Sequence, residues 1–250
     1  MRSTVKRLLS AILAMIAVSS CSSMQTAPDD RLKAAIDAEN RIRQTHPSVD
    51  QRRAVIDLYS KVIDAADANQ ESRNEALFRR GRLYAEASDC PPALDDIGRA
   101  INAGVHTASA YMILANCHMK AGLLDEARKD VDRAIDVAPN EPLVYRARAM
   151  ISMDQKRYEA AAQDLSKSID LVKPDESSAL FQMRGDAYLA AGQFEKAVDD
   201  YEAAIRASNR DALEIMGSAS RKSAQLAPIY EKLSKAYAGL ARESQRGRSD

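Results

Sequence analysis

Three stretches of the chain, beginning at Asn74, Ala108 and Pro142, align without gaps at a spacing of 34 residues, and a fourth begins at Ser178, two residues late. A fixed period of this length restricts a chain to stacked copies of one supersecondary unit. Numbered within each copy, position 4 is Leu77, Tyr111, Tyr145 and Phe181, and position 24 is Ile97, Val131, Leu165 and Tyr201. Small residues recur at position 8 (Gly81, Ala115, Ala149, Gly185), position 20 (Ala93, Ala127, Ala161, Ala197) and position 27 (Ala100, Ala134, Ser168, Ala204). The chain contains no Trp and only 5% aromatic residues, a composition suited to helices packed closely through small side chains.

This pattern of large and small positions resembles the tetratricopeptide repeat family. The resemblance implies an all-α fold: a right-handed superhelical solenoid of antiparallel helix pairs, with about five repeats and a C-terminal capping helix. Small residues at positions 8 and 20 let helices A and B of one repeat approach, and position 27 receives helix A of the next. Each pair buries too little alone, so its neighbours complete the core. The predicted organisation is a degenerate first repeat at 32–69, four repeats at 74–107, 108–141, 142–177 and 178–209, capping helices at 210–242 and a disordered tail at 243–250. In the first repeat helix A is expected over Ile36 to Thr45, with a break at His46-Pro47 and helix B over Ala54 to Ala65, resting on Tyr59, Val62 and Ile63. In the cap, Ile229, Leu233, Ala236, Tyr237 and Leu240 share one helical face, and Pro228 is placed to open that helix. Position 15, often Gly in the family, is Gly122 and Gly192 but also Ser88 and Lys156.

The first 20 residues have the layout of a secretory signal, with Arg2, Lys6 and Arg7 followed by an apolar run from Leu8 to Val18. That run is too short to span a bilayer, which takes about 20 apolar residues. Val18-Ser19-Ser20-Cys21 resembles the lipobox of bacterial lipoproteins. The resemblance implies acylation of Cys21 with palmitate-type chains, a tether over 21–31 and, because Ser22 rather than Asp follows, a place on the periplasmic side of the outer membrane. The alternative is an ordinary signal cleaved nearby, with Cys21 incidental.

Charge is balanced, 36 basic against 36 acidic residues, which gives no basic face for nucleic acid. His46, His106 and His118 stand in no metal-ligating spacing, and no nucleophile motif, acid–base motif or phosphate loop is present, so no catalytic residue, metal or cofactor is assigned. No site for a small-molecule substrate is legible either. His118 occupies an aromatic slot at position 11, where an imidazole can pack. Asp96, Asp130, Asp164 and Asp200 all fall at position 23. They are expected on a solvated face of helix B, where Arg99, Arg133 and Lys167 follow three residues later as ion-pair partners. Cys90, at position 17, and Cys117, at position 10 of the next repeat, fall at neighbouring helix ends, so a disulfide is geometrically allowed; the alternative is two buried small apolar residues.

In the tetratricopeptide family the concave wall is made mainly by helix A positions 2, 5, 9, 12 and 13. Carried over, these positions give Phe78, Arg82 and Glu86, then Met112, Asn116, Met119 and Lys120, then Arg146, Met150 and Met153, and finally Gln182, Asp186 and Leu189. This wall is rich in methionine, which adapts to varied apolar partners; the alternative places the methionines in the core between repeats. The expected function is a membrane-tethered adaptor that binds a protein partner of the cell envelope. The competing reading is a cell-envelope enzyme or a direct activator of a peptidoglycan-remodelling enzyme.

Overall fold

A computed structural model describes residues 30–45, 47–173, 177–211 and 219–246, with the side chains of 209–225 outside the description. Cys21, the signal and most of the tether therefore lie outside the described residues, as do His46 and the last four residues of the tail. The chain divides into two compact units, 1–76 and 77–250.

In the first unit, α1 (Asp30–Arg43) packs against α2 (Val49–Asp64). Both helices start earlier than the sequence suggested, and α2 does so at a capping box: the Ser48 side chain accepts from the Gln51 amide while the Gln51 side chain accepts from the Ser48 amide. Tyr59, Val62 and Ile63 are buried, and the Tyr59 hydroxyl donates to the fully buried Glu39 carboxylate of α1. The helix α3 (Gln70–Glu86) begins in this unit and ends in the next.

The second unit continues with α4 (Cys90–Asn102), α5 (Ala108–Lys120), α6 (Leu124–Val137), α7 (Pro142–Asp154), α8 (Tyr158–Leu171), α9 (Ser178–Ala190), α10 (Phe194–Asp211) and α11 (Ala219–Arg246). From α4 onward each helix packs on its successor in the chain, so that the described residues form an all-helical stack of pairs. Thr107 caps α5 by accepting from the Ala110 amide, and Pro142 opens α7 at a position whose amide has no partner within the helix.

Positions 20, 24 and 27 form the core as the repeat required. The alanines at 93, 127, 161 and 197, and the large residues Ile97, Val131, Leu165 and Tyr201, are all 0% exposed. Sizes are matched across each helix pair. A methyl group at Gly81 would sit 2.8 Å from Ile97 Cγ1 and one at Gly185 would sit 2.9 Å from Tyr201 Cε1. Glycine thus stands opposite the β-branched Ile or the ring, whereas alanine stands opposite Val131 and Leu165.

The A–B turn is the same in all four repeats. Position 15 has positive φ at Ser88 (62°), Gly122 (74°), Lys156 (57°) and Gly192 (74°). The following amide donates back to the carbonyl of position 11: Asp89 to Tyr84, Leu123 to His118, Arg157 to Ser152 and Gln193 to Tyr188. This is the left-handed closure that ends many helices.

The C-terminal region departs from expectation in three ways. Helix α10 runs on to Asp211, and α11 begins at Ala219, so that Pro228 lies inside a helix rather than at its start. Helix α11 also continues to Arg246, where a disordered tail was expected from residue 243. Its Leu226, Ile229 and Ala236 seal the last repeat against Ala197, Val198, Tyr201 and Ala204. Tyr237, assigned to the same apolar face, is instead half exposed and donates from its hydroxyl to Glu202.

Candidate functional site: one exposed wall and a buried charge ladder

Helix A of the 142–177 repeat carries Leu143, Arg146 and Met150 at a spacing that puts them on one face, and all three are exposed, Leu143 at 49% and Met150 at 44%. Asn116 and Lys120, one turn apart on α5, are exposed too. Lys120 donates to Ser88 Oγ across 3.1 Å, and Arg146 makes no ion pair among the described residues. These exposed residues, on two helices that touch each other, comprise two apolar side chains, two cations and one amide.

The other residues assigned to the wall are drawn into the fold to different degrees. Met112 packs against both cores around Tyr111 and Ala115, Met119 packs against the second of these, and Met153 packs against the core of Ala161 and Leu165. Of the wall methionines, Met150 alone is exposed. Phe78 and Gln182 are half-buried. Arg82 is 22% exposed along its side chain, with Nε 3.8 Å from Glu86. Asp186 is held from two sides: the Tyr201 hydroxyl donates to one oxygen across 2.8 Å and Lys232 of α11 donates to the other across 2.6 Å. Burial and this carboxylate together raise the Tyr201 hydroxyl far above its ordinary titration range.

The aspartate row is not solvated, which corrects the expectation drawn from the spacing. Asp96, Asp130, Asp164 and Asp200 are 1%, 4%, 8% and 4% exposed. Their principal partners come from helix A of the same repeat. Arg80, Arg148 and Arg184, all at position 7, each grip both oxygens of the aspartate 16 residues later, at 2.7 to 3.0 Å. Such paired contacts are the strong form of the ion pair. The Asp164 and Asp200 carboxylates hold the Arg148 and Arg184 guanidinium groups above their ordinary range. Arg99 and Arg133, the expected partners, are half or more exposed and reach only the edge of Asp96 and Asp130, at 3.9 and 3.5 Å. In the 108–141 repeat position 7 is Leu114, and His118 replaces the arginine, with Nδ1 2.7 Å from Asp130 Oδ2. His118 is therefore a hydrogen-bond partner of the buried aspartate rather than only a packing residue. The signal was present as an Arg 16 residues before three of the four aspartates; a nearer i, i+3 base masked it at Asp96 and Asp164, while Asp200, with Ala203 in that slot, showed it unmasked.

Cys90, the first residue of α4, and Cys117 of α5 are joined as a disulfide, with Cα atoms 5.4 Å apart. Among the described residues no group of three or more His, Cys, Asp or Glu is placed to hold a metal ion. None of the described helices is long and apolar enough to cross a membrane.

Helix pairs of one period, closed by one turn and joined through small residues, define a tetratricopeptide-type repeat protein. The sequence matches the tetratricopeptide repeat-like domain family over residues 48–227, and the chain belongs to that family. It is 23% identical over 163 residues to the human (Homo sapiens) mitochondrial import receptor subunit TOM70, an alignment covering 60% of this chain and 26% of that protein. The chain thus spans about a quarter of the length of this curated relative. In structure it is similar to the MamA protein, with a TM-score of 0.63, 20% identity and coverage of 75% of this chain and 97% of that one. It is likewise similar to YrrB, described as a TPR protein with an unusual peptide-binding site, with a TM-score of 0.58, 16% identity and coverage of 76% and 91%.

Proposed function

We propose that this protein is a non-catalytic adaptor, tethered by lipid at Cys21 to the periplasmic side of the outer membrane, that holds a segment of another cell-envelope protein along the face of α5 and α7. The observation that carries the reading is the exposed row Leu143, Arg146 and Met150 on a helix whose opposite face is core. Leu143 and Met150 take apolar side chains of the segment, Lys120 and Arg146 take its carboxylates, and Asn116 takes its backbone amide groups. Family membership supports a binding role, and the residues leading to Cys21 support the tether.

The test compares wild type with a variant carrying Asn116→Ala, Arg146→Ala and Met150→Ala, by capture from envelope extract beside thermal melts. Arg82 is left intact because it is largely enclosed. Exposed substitutions shift stability by about 0.5 kcal/mol or less each, so Tm is expected to stay nearly constant while capture falls. Equal capture by the two proteins places the binding surface elsewhere.

A further inference from the structure

Arg148 and Arg184 reach beyond their own repeats. Arg148 Nη1 donates to Asp132 Oδ1 across 2.9 Å, and Arg184 Nη1 donates to Ser166 Oγ across 2.8 Å. Both acceptors stand at position 25 of the preceding repeat. A guanidinium at position 7 thus ties helix A to its own helix B and to the helix B before it, at the two junctions that follow the 108–141 repeat. The junction before that repeat lacks both halves of the device. Position 7 there is Leu114, position 25 of the preceding repeat is Gly98, and His118 satisfies Asp130 within its own repeat. Besides apolar packing, this junction is crossed by the Cys90–Cys117 disulfide and by the exposed bond from Lys120 to Ser88.

The geometry points to a redox-controlled joint between the 74–107 and 108–141 repeats, in which the Cys90–Cys117 disulfide replaces the arginine bridge of the two junctions that follow and its reduction loosens α5 from α4. The exchange needs an external dithiol. Its thiolate attacks the Cys90 sulfur, which is partly exposed whereas Cys117 is 1% exposed; the S–S bond breaks, and Cys117 leaves as a thiolate and takes a proton. The second thiol of the reductant then attacks the reductant's sulfur in the mixed disulfide and releases Cys90, which takes the second proton. Two electrons and two protons pass to the protein, and the dithiol ends as a disulfide. The packing of Ala85, Ala93 and Cys117 remains to hold the helices in contact, so the joint opens without unfolding the chain. On the binding reading above, which this consequence rests upon, the joint also sets the position of Asn116 and Lys120.

The experiment is native-state hydrogen exchange of the full chain with and without dithiothreitol, which reads the joint without reference to any partner. Reduction is expected to accelerate exchange in α4 and α5 by about tenfold more than in α8 to α10, as a local opening does. An equal rise in all helices, or none, overturns the proposal. A second arm carries Leu114→Arg with Gly98→Asp, installing the missing bridge; a Cβ at Gly98 meets nothing within 4 Å, so the new side chain has room. In this variant dithiothreitol should no longer single out α4 and α5, and a response equal to wild type overturns the proposal. Should that variant not fold, the wild-type arm decides alone.

Discussion

Removing the guanidinium of Arg184 would leave Asp200, 4% exposed, without its paired donor, and a buried charge stripped of its partner is among the costliest single changes a fold can suffer. Arg184→Met is expected to destabilise by about 3 kcal/mol, whereas Arg133→Ala, at an exposed edge contact, should cost about 0.5 kcal/mol or less. Urea unfolding of the two variants checks this, and equal losses would return the aspartate row to the solvated role that the sequence suggested. The 108–141 repeat behaves differently because its partner is an imidazole. Burial holds the Asp130 carboxyl above its ordinary value of 3.8, with His118 and Arg133 opposing. The folded state therefore keeps this proton more tightly than the unfolded chain, and the stability associated with it is present below the ordinary value and lost as pH rises through the raised one. Asp130→Asn removes the titration, so the stability of the variant relative to wild type should grow as pH rises across that window. Unfolding free energies measured in steps of pH provide the comparison, and a difference that shrinks with rising pH contradicts the assignment. The row itself was legible as a row; its partner was not, because at three of the four aspartates a helix-local base three residues away explains the spacing equally well until the other helix of the repeat is in place.

At the scale of the element, the turn at position 15 separates what the repeat dictates from what each residue tolerates. Gly122 and Gly192 adopt φ of 74° freely, while Ser88 and Lys156 are forced to 62° and 57° by the same closing hydrogen bonds. Left-handed backbone costs a residue with a Cβ about 1–2 kcal/mol, so Lys156→Gly should stabilise the protein by about 1 kcal/mol, seen as a raised Tm. The opposite change belongs at position 8: Gly185→Ala drives a methyl group to 2.9 Å from the Tyr201 ring and should cost about 1–3 kcal/mol by overpacking. A Gly185→Ala protein that melts like wild type would mean that the ring can withdraw. The sequence made the A–B pairs readable because sizes at positions 8, 20, 24 and 27 are set by direct contact and recur. Helix ends were less readable. Pro228 reads as a start signal, since a proline inside a helix removes one backbone bond and crowds the carbonyl four residues before it. Burial of Leu226 on one side of it and Ile229 on the other holds the helix through that defect.

For the molecule as a whole, the repeat period gave the architecture, while the binding wall was legible only as a set of positions. Which wall residues stay exposed depends on how neighbouring repeats fill space. Met112, Met119 and Met153 turn into cores, Met150 does not, and Asp186 is met by Lys232 from a helix 46 residues away in the chain. No periodicity carries that information. The proposed tether rests on the N-terminal residues alone, and it makes a demand that the folded units do not: membrane attachment should depend on one sulfur. A single acyl chain binds a bilayer only marginally, whereas several together give stable anchoring. Cys21→Ala is therefore expected to abolish incorporation of a fatty-acid probe and to move the protein from the membrane to the soluble fraction, without changing the Tm of the repeat units. Measuring both in one preparation separates loss of the anchor from loss of the fold. Membrane fractionation that survives in Cys21→Ala, with the probe still incorporated, would remove the lipid tether and leave the exposed face of α5 and α7 to act wherever the chain is found.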